Sequence, residues 1–353
     1  MPNQIARCER LDRPPHAGSY LRFPDTFGRR FMIFCDTEEE FDWGKPHDRN
    51  ARATTHMKTL PEAQRHMSAF GAKPVYLVDH PIATDPRSIE LLRPWQDAGE
   101  CAVGTQLHPW VNPPFDEEVN RTNSFAGNLP LELERAKLTN LTETIEQAFG
   151  RRPIIYRAGR YGVGPNTASL LRELGYRIET SVRAMFDYSN EKGPNFSRVK
   201  PLPYRIEGNL IELPLTAAYL GPLRGMGGPS FRFTSALPPA RGALARSRLL
   251  NRVPLTPEGT PLAEALAAVE RLLEDDVQLI SMSYHSPSVV PGHTPFVRTQ
   301  ADLKKFYSWW DGVLGLLVRR GVTAASLEEL VAATEGAQPI RPRTAKAARL
   351  RSV

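Results

Sequence analysis

Apolar positions along this chain follow two rhythms. Short continuous runs occur at Phe31–Cys35, Val75–Val78, Cys101–Val103, Ile154–Tyr156 and Val277–Tyr284. Between them lie longer segments in which apolar residues recur every three or four positions. The runs have the length of buried strands, and the longer segments have the period of helices. One helical stripe is Leu138, Leu141, Ile145 and Phe149. A second is Leu303, Phe306, Trp310, Val313 and Leu317, behind Thr299 as an N-cap. A third is Leu262, Leu266, Val269 and Leu273, opened by Pro261. Gly71, Gly99, Gly150, Gly175 and Gly321 each separate a helical segment from the next apolar run, where a helix-ending glycine is expected. Strands alternating with helices at this spacing predict an α/β fold with a mostly parallel sheet. From Pro201 to Pro254 the pattern changes. Tyr204–Leu213 reads as a β-hairpin around Gly208-Asn209, and a long stretch rich in Gly, Pro and Arg follows.

Composition narrows the class. Of 353 residues, 41% are hydrophobic and 24% charged, an ordinary globular balance. No apolar stretch approaches the length of a membrane span, and Met1–Arg13 lacks the apolar segment of a secretory signal, so a cytoplasmic location is expected. Cys8, Cys35 and Cys101 are odd in number, and the latter two sit in strand-like runs as buried thiols. The formal charge of +6 is uneven. Arg224, Arg232, Arg241, Arg246, Arg248 and Arg252 fall in the acid-free stretch 221–253, and Arg341, Arg343, Lys346, Arg349 and Arg351 in the tail. Without these cations the body is mildly acidic. The tail reads as a solvated end, with no helix-turn-helix or aromatic–basic interleaving to suggest nucleic acid.

Candidate chemistry gathers where the runs end. The first run stops at Asp36, followed by Glu38, Glu39, Glu40 and Asp42. Crowded carboxylates need a cation, a proton or hydrogen-bond donors, unless the segment is a solvated acidic loop. The second run ends at Asp79-His80, the third leads to Gln106-Leu107-His108, the fourth to Arg157 and Arg160, and the last to His285. In parallel α/β folds chemistry collects at the carboxyl ends of strands. Acids, histidines and arginine all at that position predict an active-site rim.

These residues resemble the polysaccharide deacetylases of the carbohydrate esterase type. The segments that carry the resemblance, in order, are Asp36-Thr37-Glu38, Ala102–Trp110, Tyr156–Gly162, Ile211-Glu212-Leu213-Pro214 and Ser283–Pro287. The resemblance implies a distorted (β/α)7 TIM-like barrel over residues 30–335, carrying the 201–254 hairpin and Arg-rich insertion. Residues 1–29 would form an N-terminal extension and 336–353 a basic tail. It also implies hydrolysis of a carbon–nitrogen amide bond, removal of an acetyl group from an acetylated sugar. Asp36 would be the base, His285 the acid and Arg157 the partner of Asp36. Glu38 and His108 would hold a divalent, zinc-like metal. Trp43, Asp79, Trp110, Arg160, Tyr161 and Tyr284 would contact a carbohydrate or small-molecule amide. Glu39, Glu40 and Asp42 are expected to be helpers at the rim or solvated charge.

The chain departs from the family's acid-plus-two-histidine metal site. Counting from Gly104, the histidine positions fall on Gln106 and Trp110; counting from His108, the second falls on Asn112. Three readings follow: a metal-dependent deacetylase with a rearranged site, a metal-independent amidohydrolase similar to the allantoinase-type members, and a non-catalytic carbohydrate-binding barrel. With no secretory signal, an intracellular glycan precursor or nucleotide-linked sugar is the expected substrate. The Arg-rich insertion reads equally as a lid for anionic glycans and as a solvated or oligomer-contacting loop.

Overall fold

The computed structural model describes residues 10–227 and 249–340. The strands are β1 (Leu21–Arg22), β2 (Arg30–Thr37), β3 (Val75–Val78), β4 (Ala102–Leu107), β5 (Ile155–Ala158), β6 (Ile178–Glu179), β7 (Tyr204–Arg205), β8 (Ile211–Glu212), β9 (Ala217–Leu220), β10 (Asn251–Pro254), β11 (Leu279–His285), β12 (Thr323–Ala324) and β13 (Gln338–Pro339). The main sheet runs β11-β2-β3-β4-β5-β6-β8-β7, with β12 added alongside β2. Its pairs are parallel except β7 with β8, which is the expected hairpin. The result is an α/β fold with a curled, barrel-like sheet.

Pleat alternation builds the two sides of this sheet. Phe31, Ile33 and Cys35 of β2 pack outward with the helices, while Met32 and Phe34 pack inward with Val75, Leu77, Ile155, Ile178, Ile211 and Leu279. Each fully buried large apolar side chain contributes about 1.5–3 kcal/mol. Between the chain after β8 and β11, side chains supply much of the joining. Thr216 N–H donates to Ser281 Oγ at 3.0 Å, and Ser281 N–H donates to Thr216 Oγ1 at 2.9 Å.

The helices form where the periodicity places them. Leu131–Phe149 buries Leu138, Leu141, Ile145 and Phe149 and ends at Gly150, whose φ of 72° suits glycine. Gln300–Arg319 starts at Thr299 in a capping box with Asp302. Leu262–Glu274 is rotated from its expected stripe: Ala265, Ala268, Val269, Leu272 and Leu273 are buried, whereas Leu262 and Leu266 are only partly so. The helix approaches Gln300–Arg319 closely, so that a methyl group on Gly312 would collide with Leu262.

Residues 10–29 contribute Leu11, Tyr20, Leu21, Phe23 and Phe27 to the buried core, and β1 pairs antiparallel with β13. Most of the Arg-rich insertion, including Arg232, Arg241, Arg246 and Arg248, lies outside the described residues, as do Cys8 and the basic tail from Arg341 onward. Cys35 and Cys101 are free and buried. Among the described residues no helix is long and apolar enough to cross a membrane.

Candidate active site

Register explains why the predicted residues meet. His285 is the pairing partner of Asp36 across β11 and β2, and Gln106 is the partner of Arg157 across β4 and β5. All four are in phase with the inward-facing residues of their strands. Their side chains therefore converge at the carboxyl ends, on a cavity of about 850 Å³. That volume falls in the range of about 300–1,000 Å³ usual for small-ligand sites.

At the floor, the Arg157 guanidinium donates to Asp36 Oδ1. Arg157 is itself fixed by donation from Nε to the Thr180 carbonyl at 3.0 Å. The other Asp36 oxygen lies 3.6 Å from His285 Nε2. On the far side of the imidazole, His285 Nδ1 lies 2.6 Å from Glu258 Oε2, and the His285 N–H donates to Glu258 Oε1 at 3.0 Å. Ser288 Oγ also donates to Glu258 Oε1, at 2.6 Å. Burial alone would lower the pKa of His285. The carboxylates of Glu258, Glu38 and Asp36 outweigh it and push the pKa up to about 10. His285 is therefore an imidazolium at neutral pH, and its proton faces Asp36 and the cavity. Glu258 was not read from the sequence, although it carries one signal: it is the first acid after Glu212.

Beside this row, His108 Nδ1 lies 2.7 Å from Glu39 Oε2, and Trp110 Nε1 donates to Glu39 Oε1 at 2.7 Å. Burial is the main cause that lowers the His108 pKa, to about 4, against the pull of Asp79 and Asp36. The neutral ring donates from Nδ1 to Glu39, an assignment made from the hydrogen-bond network. Its Nε2 lone pair then points toward Glu38 Oε2, 3.5 Å away. Gln106 Nε2 donates to the same Glu38 oxygen at 3.1 Å. Glu38 Oε1 and Gln106 Oε1 are buried without a hydrogen-bond partner. Burial, the first of its causes, raises the Glu38 pKa well above the usual carboxylate range.

Two groups of side chains bear on a cation site, and they differ in whether their ligand atoms are already occupied. Glu39, Asp79 and His108 offer ligand atoms within 4.8 Å of one another. Their atoms are already occupied: Asp79 Oδ2 accepts from Glu39 N–H at 2.7 Å and Asp79 Oδ1 from Ile82 N–H at 2.9 Å, and Glu39 holds His108 and Trp110. Glu38 and Gln106, in contrast, each keep a buried oxygen without a hydrogen-bond partner, and His108 Nε2 lies 3.5 Å from Glu38 Oε2. That set fits a divalent cation. With a single nitrogen and mostly oxygen donors it suits a hard ion better than tightly held zinc. Glu39 would then orient His108 from behind.

The remaining expectations divide. Trp43, Trp110, Arg160 and Tyr161 line the cavity. Trp43 packs edge-to-face on His285 with centroids 5.0 Å apart, and Trp110 stacks between His108 at 4.3 Å and His47 at 4.0 Å. Tyr284 and Asp79 do not reach the cavity. Tyr284 faces the helices and packs on Phe306 and Trp310, since the pleat turns it away from the side that His285 occupies. Asp79 caps the short helix His80–Thr84 and holds the Glu39 backbone. Asn112 turns away as well, donating to the Lys137 carbonyl at 3.1 Å. Glu39 and Glu40 are not solvated charge. Glu39 is fully buried, and Glu40 accepts from His56 N–H at 2.7 Å and from Thr55 Oγ1 at 2.9 Å. Partial burial alone would raise the Glu40 pKa, but those bonds outweigh it and hold the carboxyl at about 2. Asp42 is exposed and caps Gly44 N–H at 2.9 Å.

No family model matches the chain, and no curated protein sequence does. Solved structures do. A provisionally assigned polysaccharide deacetylase from Mycobacterium smegmatis is 15% identical, with 93% of this chain and 99% of that one covered and a TM-score of 0.49. A family 4 carbohydrate esterase from Streptomyces lividans, in complex with acetate, is 10% identical over 89% and 98% of the two chains, with a TM-score of 0.41. The 4-alpha-glucanotransferase from Thermococcus litoralis reaches a TM-score of 0.50 at 11% identity, over 86% of this chain and 40% of that one. At such identities the likeness is one of fold.

Proposed function

We propose that this protein hydrolyses a carbon–nitrogen amide bond, the N-acetyl group of an amino sugar. The observation that carries the reading is the Asp36–His285–Glu258 row, open to the cavity, with Asp36 clamped by Arg157. Amide hydrolysis needs a base for water and an acid for the departing amine. Asp36, fixed by Arg157, takes the proton of the attacking water. His285 Nε2 delivers its proton to the amine nitrogen. An imidazolium with a pKa of about 10 matches the basicity of amines, about 8 to 10.4. Glu258 holds the proton on Nδ1, so that Nε2 is the nitrogen that gives its proton up. Glu38, His108 and Gln106 would hold a divalent cation, which when bound supplies polarisation of the acyl oxygen and of water. Trp43 and Phe296 exclude solvent on the His285 side.

A second reading is metal-independent hydrolysis by the same residues. It is favoured by Trp110, which stands at the expected second-histidine position and is committed to Glu39. Acetate release from N-acetylated mono- and oligosaccharides, with and without chelator, alongside elemental analysis, tests both. The expected result is release that is abolished in Asp36→Asn and His285→Ala. Full activity of metal-free protein selects the second reading. Tight sugar binding with no release by the wild type rejects hydrolysis and leaves the non-catalytic carbohydrate-binding barrel.

A further inference from the structure

The cavity wall beyond the Asp36 row has a charge imbalance that amide hydrolysis does not use. Arg121, Arg160 and Arg183 all line it. Arg160 Nη2 lies 2.5 Å from Glu191 Oε2, and Arg121 Nη2 lies 3.6 Å from the same oxygen. One carboxylate thus serves two guanidinium groups. Arg183 has no carboxylate within ion-pair distance among the described residues; it donates from Nη1 to the Tyr188 hydroxyl at 3.2 Å. Its guanidinium sits 4.0 Å from the centre of the Phe186 ring and 5.5 Å from that of Tyr161. The backbone there is pinned, as Arg183 bridges to Leu215 and Val182 N–H donates to Glu212 Oε1 at 3.1 Å. A cation fixed between aromatic rings, part-exposed to a cavity and without a carboxylate at ion-pair distance among the described residues, has the features of an anion receptor.

The same cavity is also lined by Asp36, Glu38 and Glu258. Asp36 and Glu258 are balanced there by Arg157 and His285, so a ligand with one anionic group has that group drawn to the wall, where guanidinium groups outnumber carboxylates. Its uncharged end is thereby directed at Asp36 and His285. We infer that the substrate is an anionic N-acylated sugar, whose carboxylate or phosphate pairs with Arg183 while its acylamino group meets Asp36. This rests on the amide-hydrolase reading for the role of Asp36. The receptor role of Arg183 is separate from the Arg-rich insertion, since Arg183 belongs to the loop after β6.

Calorimetric binding tests the inference without requiring turnover. The probes are N-acetylglucosamine, its C6 carboxylate analogue and its 6-phosphate, titrated into the full chain. The wild type is expected to bind one or both anionic probes about 10- to 100-fold tighter than the neutral sugar, the preference shrinking with added salt. Whichever anion gains more identifies the group as carboxylate or phosphate. Arg183→Gln is expected to abolish the preference and leave neutral-sugar affinity unchanged. Arg183→Lys, which keeps the charge without the planar fork, restores part of it. If the Gln variant does not fold, the Lys variant and the salt series decide: a preference unchanged in both overturns the inference. Equal affinity for charged and neutral probes in the wild type overturns it too, as does a preference that survives Arg183→Gln. Anion preference without acetate release supports Arg183 as the receptor and removes the hydrolase reading instead.

Discussion

Glu258 decides the charge of His285, because imidazole burial by itself favours the neutral ring. Removing the carboxylate charge while keeping the shape, as in Glu258→Gln, lowers the His285 pKa from about 10 toward or below its ordinary value. The basic limb of the kcat/KM profile is expected to move down in pH by more than a unit. A pH–rate series checks this, and an unmoved basic limb would show that another group carries the proton. Gly159 offers a second test at this scale. A side chain there would run into the His108 ring and the Leu107 carbonyl. Gly159→Ala is expected to displace His108 and to cost about 1–3 kcal/mol of stability, the usual range for overpacking. Denaturant unfolding reads the stability. The 6.1 Å ring contact of Phe41 with His108 gives a second readout, as the proton shifts of Phe41 report movement of the imidazole.

At the scale of elements, the loop from Pro109 to Glu117 carries Trp110 and is held by a buried cation. Lys137, on the helix Leu131–Phe149, donates from Nζ to the carbonyls of Pro109 at 2.9 Å, Asn112 at 2.7 Å and Pro114 at 2.5 Å, and lies 3.0 Å from Glu117 Oε2. Lys137→Met leaves the carbonyls and a buried carboxylate without their donor. Breaking a buried ion pair this way typically costs about 3–5 kcal/mol. A large drop in Tm, with activity lost before the fold melts, is the expected outcome. Differences among elements also explain what was legible in the sequence. Asp36, Arg157 and His285 were readable because a strand of period two ends in one place and points its inward residues one way. The same rule places Tyr284 on the opposite face from His285, so assigning both to the cavity contradicted it. For Glu39 and Glu40 the choice between helper and solvated charge stayed open in the sequence because the alternation stops when the chain leaves β2 after Thr37. Asp79 stands at a strand end, yet a helix begins at once and claims its side chain. Glu258 follows the irregular stretch after β10, where no periodicity indicates which way a residue faces.

For the whole molecule these shifts set a pH window of stability. His47, His80 and His108 each have a pKa lowered to about 4, with burial as the first cause. The unfolded chain protonates them near 6.5, so between pH 6.5 and 4 it binds protons that the native state does not. Stability therefore falls as the pH drops through that range. His285 acts in the opposite direction. Its pKa is raised to about 10, so its contribution is fully present below 6.5 and is lost as the pH rises toward 10. The two histidine trends cross near pH 6.5, and the buried carboxyls of Glu38, Asp79, Glu134 and Glu212, whose pKa values burial raises, also lose stability as the pH rises, so the denaturation midpoint is expected to peak below pH 6.5. Midpoints measured from pH 4 to 10 check this. In His285→Ala the acid-side decline should persist in a smaller form, since His285 is one of the charges that lower the His108 pKa, while the alkaline decline flattens. A decline of unchanged slope in that variant would place the alkaline-sensitive proton elsewhere and, with it, the acid of the reaction.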